Sequence, residues 1–232
     1  MLQLINSAYY GIKQRVSSLE IAVGLLGDKQ IRDIAIICAS SGLLRSDIRG
    51  YGILADQFWQ HSVTTAFAGR LIAAKFRPEL SEAAFTAGLL HDIGKLVIDR
   101  LIEEHHREIF WPLAGEIALG YHSREIDLYG FDHCTVGFFL ARKWNFPEDL
   151  TAAISFHHYP DFDVAHQDFV RVIGFADTVA HLMAMGMDEP GMVSSLAEEG
   201  TIPFEFSLRD IEEIFSELKV EIGNSQAFLE VS

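Results

Sequence analysis

A histidine followed directly by an aspartate, His91-Asp92, stands at the end of the apolar run Ala87-Gly88-Leu89-Leu90, where a polar side chain is costly unless a partner holds it. On a helix, consecutive side chains point about 100° apart, so this pair can grip one ion from its edge or flank two. Gly94 keeps the next turn open, and Lys95 follows His91 by four residues on the same side. His61 lies in a long helical pattern with Gln57 one turn before it and Thr64, Thr65 and Ala68 after it, a face of small and polar residues with room for a close neighbour. Asp177 falls in a stripe with Ile173, Gly174, Ala180 and His181 that otherwise reads as core, so its carboxylate calls for a cation or several donors. Without a metal, Lys95 or Arg171 would be its partner. His133 opens a helix beside Gly137, and His157-His158 close another, where the helix dipole by itself also favours them. Pooled, His61, His91, Asp92, His133, His157, His158 and Asp177 offer imidazoles and carboxylates suited to Fe, Mn, Zn or Ni and not to calcium. The remaining histidines, including His105-His106, His122, His166 and His181, read as ordinary.

For such residues to meet, the elements between them must bring them together. Apolar residues recur at three- and four-residue spacing almost throughout, with no internal repeat and no sustained two-residue alternation, so the expected fold class is all-α. Ser17 followed by Glu20 has capping-box spacing and opens a helix over 21–26 that Gly27-Asp28 stops. Further helices are expected over about 30–44 and 54–75, the latter closed by Arg77-Pro78. One over 82–100 would carry His91-Asp92, and another over 101–119 would be interrupted near Trp111-Pro112. A polar stretch, 120–131, leads to Asp132 as the N-cap of a helix over 134–144. Asn145-Phe146-Pro147-Glu148 restarts a helix that runs through His158 and ends at Tyr159-Pro160. A helix over 168–187 precedes the break Asp188-Glu189-Pro190-Gly191, and an acidic amphipathic helix over 208–218 precedes a poorly ordered tail.

Composition bounds the function. Of 232 residues, 49% are apolar and 22% charged, with 6 Pro against 17 Phe, which is a globular chain with ample core. The formal charge of −15 repels phosphate backbones and anionic lipid, so neither nucleic acid nor membrane is an expected partner. Two cysteines, Cys38 and Cys134, form neither a disulfide framework nor a thiolate zinc spacing. With no basic leader region and with apolar runs too short to span a bilayer, the chain is expected in the cytoplasm.

In chain order, His61, the run Leu89-Leu90-His91-Asp92-Ile93-Gly94-Lys95, His133, His157-His158 and Asp177 resemble the HD phosphohydrolase superfamily. More narrowly the chain resembles an HDOD domain, the HD-related output domain of bacterial signalling proteins. The runs that narrow it include Asn6-Ser7-Ala8 with Tyr10-Gly11, Phe58-Trp59-Gln60-His61-Ser62, Tyr129-Gly130-Phe131-Asp132-His133 and Trp144-Asn145-Phe146-Pro147. The resemblance implies an HD-type multi-helix bundle: a remnant of an N-terminal helical subdomain over 1–50, an HD-like core over 51–190, and a C-terminal helix and tail over 191–232. It also implies missing first helices, which would leave apolar surface uncovered near 1–12. The double histidine continues as Tyr159-Pro160-Asp161-Phe162, without the glycine-tyrosine-proline signature of the cyclic-di-GMP phosphodiesterases. Gln57 stands where trinuclear relatives have a glutamate.

Two functions follow as expectations. By resemblance the chain is a signalling or regulatory module, acting on proteins or on a phosphorylated ligand or nucleotide, with a homodimer expected from exposed apolar helices. Alternatively it is a metal-dependent phosphohydrolase, in which the seven residues hold the ions, Asp92 and Lys95 serve the chemistry, and Lys95 stabilises charge developing on phosphate.

Overall fold

The structure, a computed structural model, describes residues 16, 18–102, 110, 121–162, 165–186, 191, 192, 194, 196 and 204–229. Among these the architecture is helical, with a single isolated bridge between Ile48 and Ile53. Helix α1 (Leu19–Leu44) is broken at Gly27, whose φ of 78° departs from helical geometry where the sequence predicts a stop. Its N-cap is Ser18, whose hydroxyl accepts from the Ile21 N–H at 3.3 Å, because the extended backbone at Ser18 aims that oxygen into the first turn.

Helix α2 (Ala55–Phe76) is the axis of the molecule. Its Ala66, Ala68, Gly69 and Ala73 let neighbours approach closely, while Phe58, Trp59, Phe67 and Ile72 fill the space between them. Against it pack α3 (Ser81–Leu90), reached through the short 3-10 helix Pro78–Leu80, then α8 (Gln167–Ala184) and α9 (Leu208–Leu229). Between α3 and α8 run α4 (Lys95–Ile98), α5 (Tyr121–Tyr129), α6 (His133–Lys143) and α7 (Glu148–Phe156). One apolar cluster joins Ile34 and Leu44 of α1, Trp59 and Phe67 of α2, Phe85 of α3, Ile173 of α8 and Phe215 of α9. Each such fully buried side chain contributes about 1.5–3 kcal/mol. Arg70 of α2 meets both carboxylate oxygens of Asp33 on α1 at 2.6 and 2.8 Å and lies 4.1 Å over the Phe85 ring, holding α1 to the core.

Most of the remaining differences from expectation lie next to the histidines. The helix predicted over 82–100 is two helices, α3 and α4, joined by four turn residues that include His91 and Asp92. There the backbone bonds run three residues apart, from Ile93 N–H to Leu90 O and from Lys95 N–H to Asp92 O, which tightens the winding. The polar stretch predicted over 120–131 contains α5, whose inward face carries Tyr121 and a carboxylate, Glu125, so that its apolar periodicity is thin. Helix α7 ends at Phe156, leaving His157-His158 in the turn beyond it. Helix α9 runs on to Leu229 in place of a poorly ordered tail after 218. The asparagine-serine run, the uncovered surface near 1–12, the cap at Ser17, Trp111-Pro112, His105-His106 and the break over 188–190 lie outside the described residues.

Candidate metal centre

Five segments meet at one buried point. His61 comes from the first half of α2, His91-Asp92 from the turn after α3, His133 from the first position of α6, His157-His158 from the turn after α7, and Asp177 from the middle of α8. Two glycines set the approach. A methyl group at Gly94 would collide with the His133 carbonyl oxygen, and one at Gly174 with that of His157, so backbones touch where larger residues would push the histidines outward. Asp132 caps α6 by accepting from Thr135 N–H at 2.8 Å and also accepts from the Tyr159 hydroxyl at 2.7 Å. That places the two histidine-bearing turns side by side.

All seven sequence-predicted ligands are brought together, and all but His61 and His158 are buried. His61 Nε2 lies 3.0 Å from Asp177 Oδ1 and 3.3 Å from His91 Nε2. His133 Nε2 lies 3.4 Å from His157 Nε2 and 3.2 Å from His158 Nε2. Asp92 stands between these groups: Oδ2 faces His91 at 3.5 Å and His61 at 3.7 Å, and Oδ1 faces His133 at 3.3 Å and His157 at 3.8 Å.

Ring-proton placement follows from the outer partners. His91 Nδ1 lies 2.7 Å from Gly88 O, His157 Nδ1 lies 3.1 Å from Ile154 O, and His133 Nδ1 lies 2.7 Å from a Glu125 carboxylate oxygen. Those oxygens can only accept, so each neutral ring carries its proton on Nδ1 and turns a bare Nε2 lone pair inward. The Nε2 atoms of His133 and His157 thus face each other with no proton between them, an arrangement that repels unless a cation lies between. Asp92 Oδ1 and Asp177 Oδ1 are buried and meet no well-formed hydrogen bond; imidazole nitrogens stand near them, His61 Nε2 and His181 Nδ1 each 3.0 Å from Asp177 Oδ1 and His133 Nε2 3.3 Å from Asp92 Oδ1. Converging bare nitrogens and orphaned carboxylate oxygens fit a divalent metal, and every four-atom or three-atom ligand set here lies within 4.8 Å.

Electrostatics favours the ligating forms. Burial lowers His61 from 6.5 to about 4, helped by His181, and lowers His157 to about 3, helped by His91 and His133. Burial likewise pushes His158 well down. For His91, burial is outweighed by the Asp92 and Asp177 carboxylates, which raise it. Asp92 stays ionised against its own burial because of Lys95 and the surrounding imidazoles, and Asp177 because of His181 and its other histidine neighbours. Lys95, raised to about 12 as Asp92 overcomes burial, places Nζ 2.5 Å from Asp92 Oδ2. It pairs with Asp92 three residues back, not with Asp177, and Arg171 pairs with Asp161.

The sequence reading passed over several neighbours. His181, one turn after Asp177, sets Nδ1 3.0 Å from Asp177 Oδ1, and its ring lies 4.3 Å from that of His61. His122 stacks on His158 with ring centroids 4.6 Å apart. Cys134 Sγ sits 3.7 Å from His157 Nδ1. Glu125 holds His133. The four-residue spacing of Asp177 and His181 is a visible signal; Glu125 stands in the family-like run that leads to Tyr129-Gly130-Phe131-Asp132-His133, but its place behind the His133 ring is not visible in that run. Gln57, by contrast, is exposed and turns away from the site to accept from Leu54 N–H at 2.9 Å.

A model of the HDOD domain matches residues 1–160, ending before Asp177 and His181. A curated protein of Treponema pallidum (strain Nichols) is 25% identical over 181 residues, and the chain spans only 34% of that relative's length. The crystal structure of an HDOD domain protein from Geobacter sulfurreducens is similar with a TM-score of 0.73 and 27% identity, covering 100% of this chain and 81% of that one. That of a candidate phosphohydrolase from Shewanella amazonensis SB2B has a TM-score of 0.70 at 22% identity, over 99% of this chain and 81% of the other, a likeness of fold.

Proposed function

The chain belongs to the HDOD-domain family, and on that premise we propose that it is a regulatory module of bacterial signal transduction whose buried His/Asp cluster holds divalent transition metal. The observation that carries this reading is the set of bare acceptors, the inward Nε2 atoms and the unbonded Asp92 Oδ1 and Asp177 Oδ1, around one buried point. Ligands from five segments, held together, stabilise one arrangement of the helices that a partner can read. The partner is a signalling protein or a phosphorylated small molecule such as a nucleotide, met in the cytoplasm.

Turnover ranks second. Asp92, with each oxygen turned to a different histidine group, suits two ions, which would polarise a phosphoryl oxygen and lower the pKa of a bound water. Lys95 weakens that reading, because its ammonium is committed to Asp92 and only 4% exposed, away from an incoming phosphate. Gln57, engaged at the start of α2, supplies no further ligand.

Elemental analysis of protein purified without chelator or affinity nickel tests the metal. About one or two ions per chain are expected in the wild type and a negligible amount in His91→Ala/Asp92→Ala; negligible metal in both overturns the reading. With metal present, the regulatory reading expects no hydrolysis of a generic phosphodiester or of nucleotides above background. Turnover that Lys95→Ala abolishes while metal is retained would make the chain an enzyme.

A further inference from the structure

The two halves of the cluster differ in what stands behind their histidines. His91 donates its Nδ1 proton to Gly88 O at 2.7 Å and His157 to Ile154 O at 3.1 Å, both neutral backbone carbonyls, while His181 Nδ1 lies 2.9 Å from Asp177 O and 3.0 Å from the Asp177 carboxylate, itself a member of the cluster. His133 donates to a carboxylate. Glu125, fully buried, takes the His133 ring proton at 2.7 and 3.0 Å, accepts from the His133 backbone N–H at 2.6 Å, and accepts from the Tyr51 hydroxyl at 2.6 Å. Tyr51 is itself fully buried, boxed in by edge contacts with Phe110 and Tyr121. The carboxylate therefore cannot swing away, and water does not screen it.

We propose that Glu125 is a positioning residue that makes the His133-His157-His158 half of the cluster its tighter metal position, so that this half fills first. A carboxylate accepting a ring proton pulls that proton toward itself and raises electron density at the opposite nitrogen, making it a stronger donor than a ring backed by a carbonyl. The effect reaches the His133 half directly. In the other half, His91 is backed by the Gly88 carbonyl in place of a carboxylate, and the halves share Asp92 and also His157, which groups with His91 and Asp177 as well as with His133 and His158. Loading would thus be sequential: a first ion ties the α5–α6 unit to the turn after α7, and a second ties in α2 and α8. A module built this way has three metal states rather than two, and the middle one leaves Asp177 and His61 unligated.

This rests on the reading of the cluster as a metal centre, and the test separates the two. Zn(II) affinity is measured by competition with a chromophoric chelator on metal-free full chain in two backgrounds, His61→Ala, which keeps the His133 half, and His158→Ala, which weakens it and keeps the other. The first is expected to bind the tighter. Adding Glu125→Gln, which keeps the shape and removes the charge, is expected to cost about 10–100-fold in the His61→Ala background and less than about threefold in the His158→Ala background. Equal losses in both, or none in either, overturn the proposal while leaving the metal centre standing; wild type that binds no Zn(II) removes the centre itself. Tyr51→Phe, which leaves the carboxylate in place, is expected to keep the His133 half within about threefold; a loss matching Glu125→Gln would assign the effect to packing and overturn it. Should Glu125→Gln not fold, the ring protons of Zn(II)-loaded wild type decide: the most downfield Nδ1 proton must be the one that cross-relaxes with the Tyr51 ring, and any other assignment overturns the proposal.

Discussion

His61 and His157 illustrate how burial stores a pH dependence in single residues. In the unfolded chain an imidazole takes its proton near pH 6.5, whereas in the folded, metal-free protein these two resist until about pH 4 and about pH 3. Between those limits the unfolded state binds more protons, so stability falls as the pH is lowered through 6.5. At pH 5.5 each depressed imidazole costs about 1.4 kcal/mol relative to neutral pH. His158 acts in the same direction, and His91, raised by the Asp92 and Asp177 carboxylates, acts in the opposite one. Urea titration in the presence of chelator should therefore give a lower midpoint at pH 5.5 than at pH 7.5, and a flat profile would contradict the neutral state of the buried rings. Asp92→Ala should abolish metal retention in either half, since its two oxygens face both histidine groups; retention of a full complement would refute its place between them.

At the level of elements, the cluster depends on backbones that touch. Gly94→Ala should cost about 3 kcal/mol or more, because the added methyl meets the His133 carbonyl, a backbone atom that cannot rotate away. The variant should also bind metal more weakly, as α4 and α6 separate; wild-type denaturation and metal uptake together would argue that the contact is not needed. Asp132→Ala should cost about 1 kcal/mol from the lost cap of α6 and more from the freed Tyr159 hydroxyl, read as a drop in thermal midpoint. These dependencies were partly readable. Asp132 before a helical run, Gly27 as a break and Arg77-Pro78 as a stop are local chemistry, and they stand where the residues imply. The break at 91–94 was not readable, because Ile93, Gly94 and Lys95 are compatible with a continuing helix and only contact with α6 makes the tighter turn preferable.

For the whole molecule, the prediction concerns coupling between site and fold. No described helix is long and apolar enough to cross a membrane, and α9 closes the bundle by packing Ile211, Ile214, Phe215 and Leu218 into the same core as α2. Phe215→Ala should cost about 3–5 kcal/mol while leaving the metal ligands untouched. Metal at about 100 times its dissociation constant should add about 2.7 kcal/mol to the stability of wild type and nothing to His91→Ala/Asp92→Ala, measured as the shift in thermal midpoint with and without chelator. Equal shifts in both proteins would mean that the ion binds elsewhere.

Helical class, most element ends and the identity of seven residues in the cluster follow from periodicity, capping chemistry and the cost of burying an unpartnered charge, all of which act over a few neighbouring residues and so leave a mark in the order of amino acids. The meeting of His181 with His61 and the division of the cluster around Asp92 come from contacts between segments up to 120 positions apart, from His61 to His181, whereas Lys95 with Asp92 and Glu125 with His133 are near in sequence and are selected by how those segments pack. Whether a buried histidine is backed by a carbonyl or by a carboxylate depends on which helix passes behind it, and that is settled only when the chain packs.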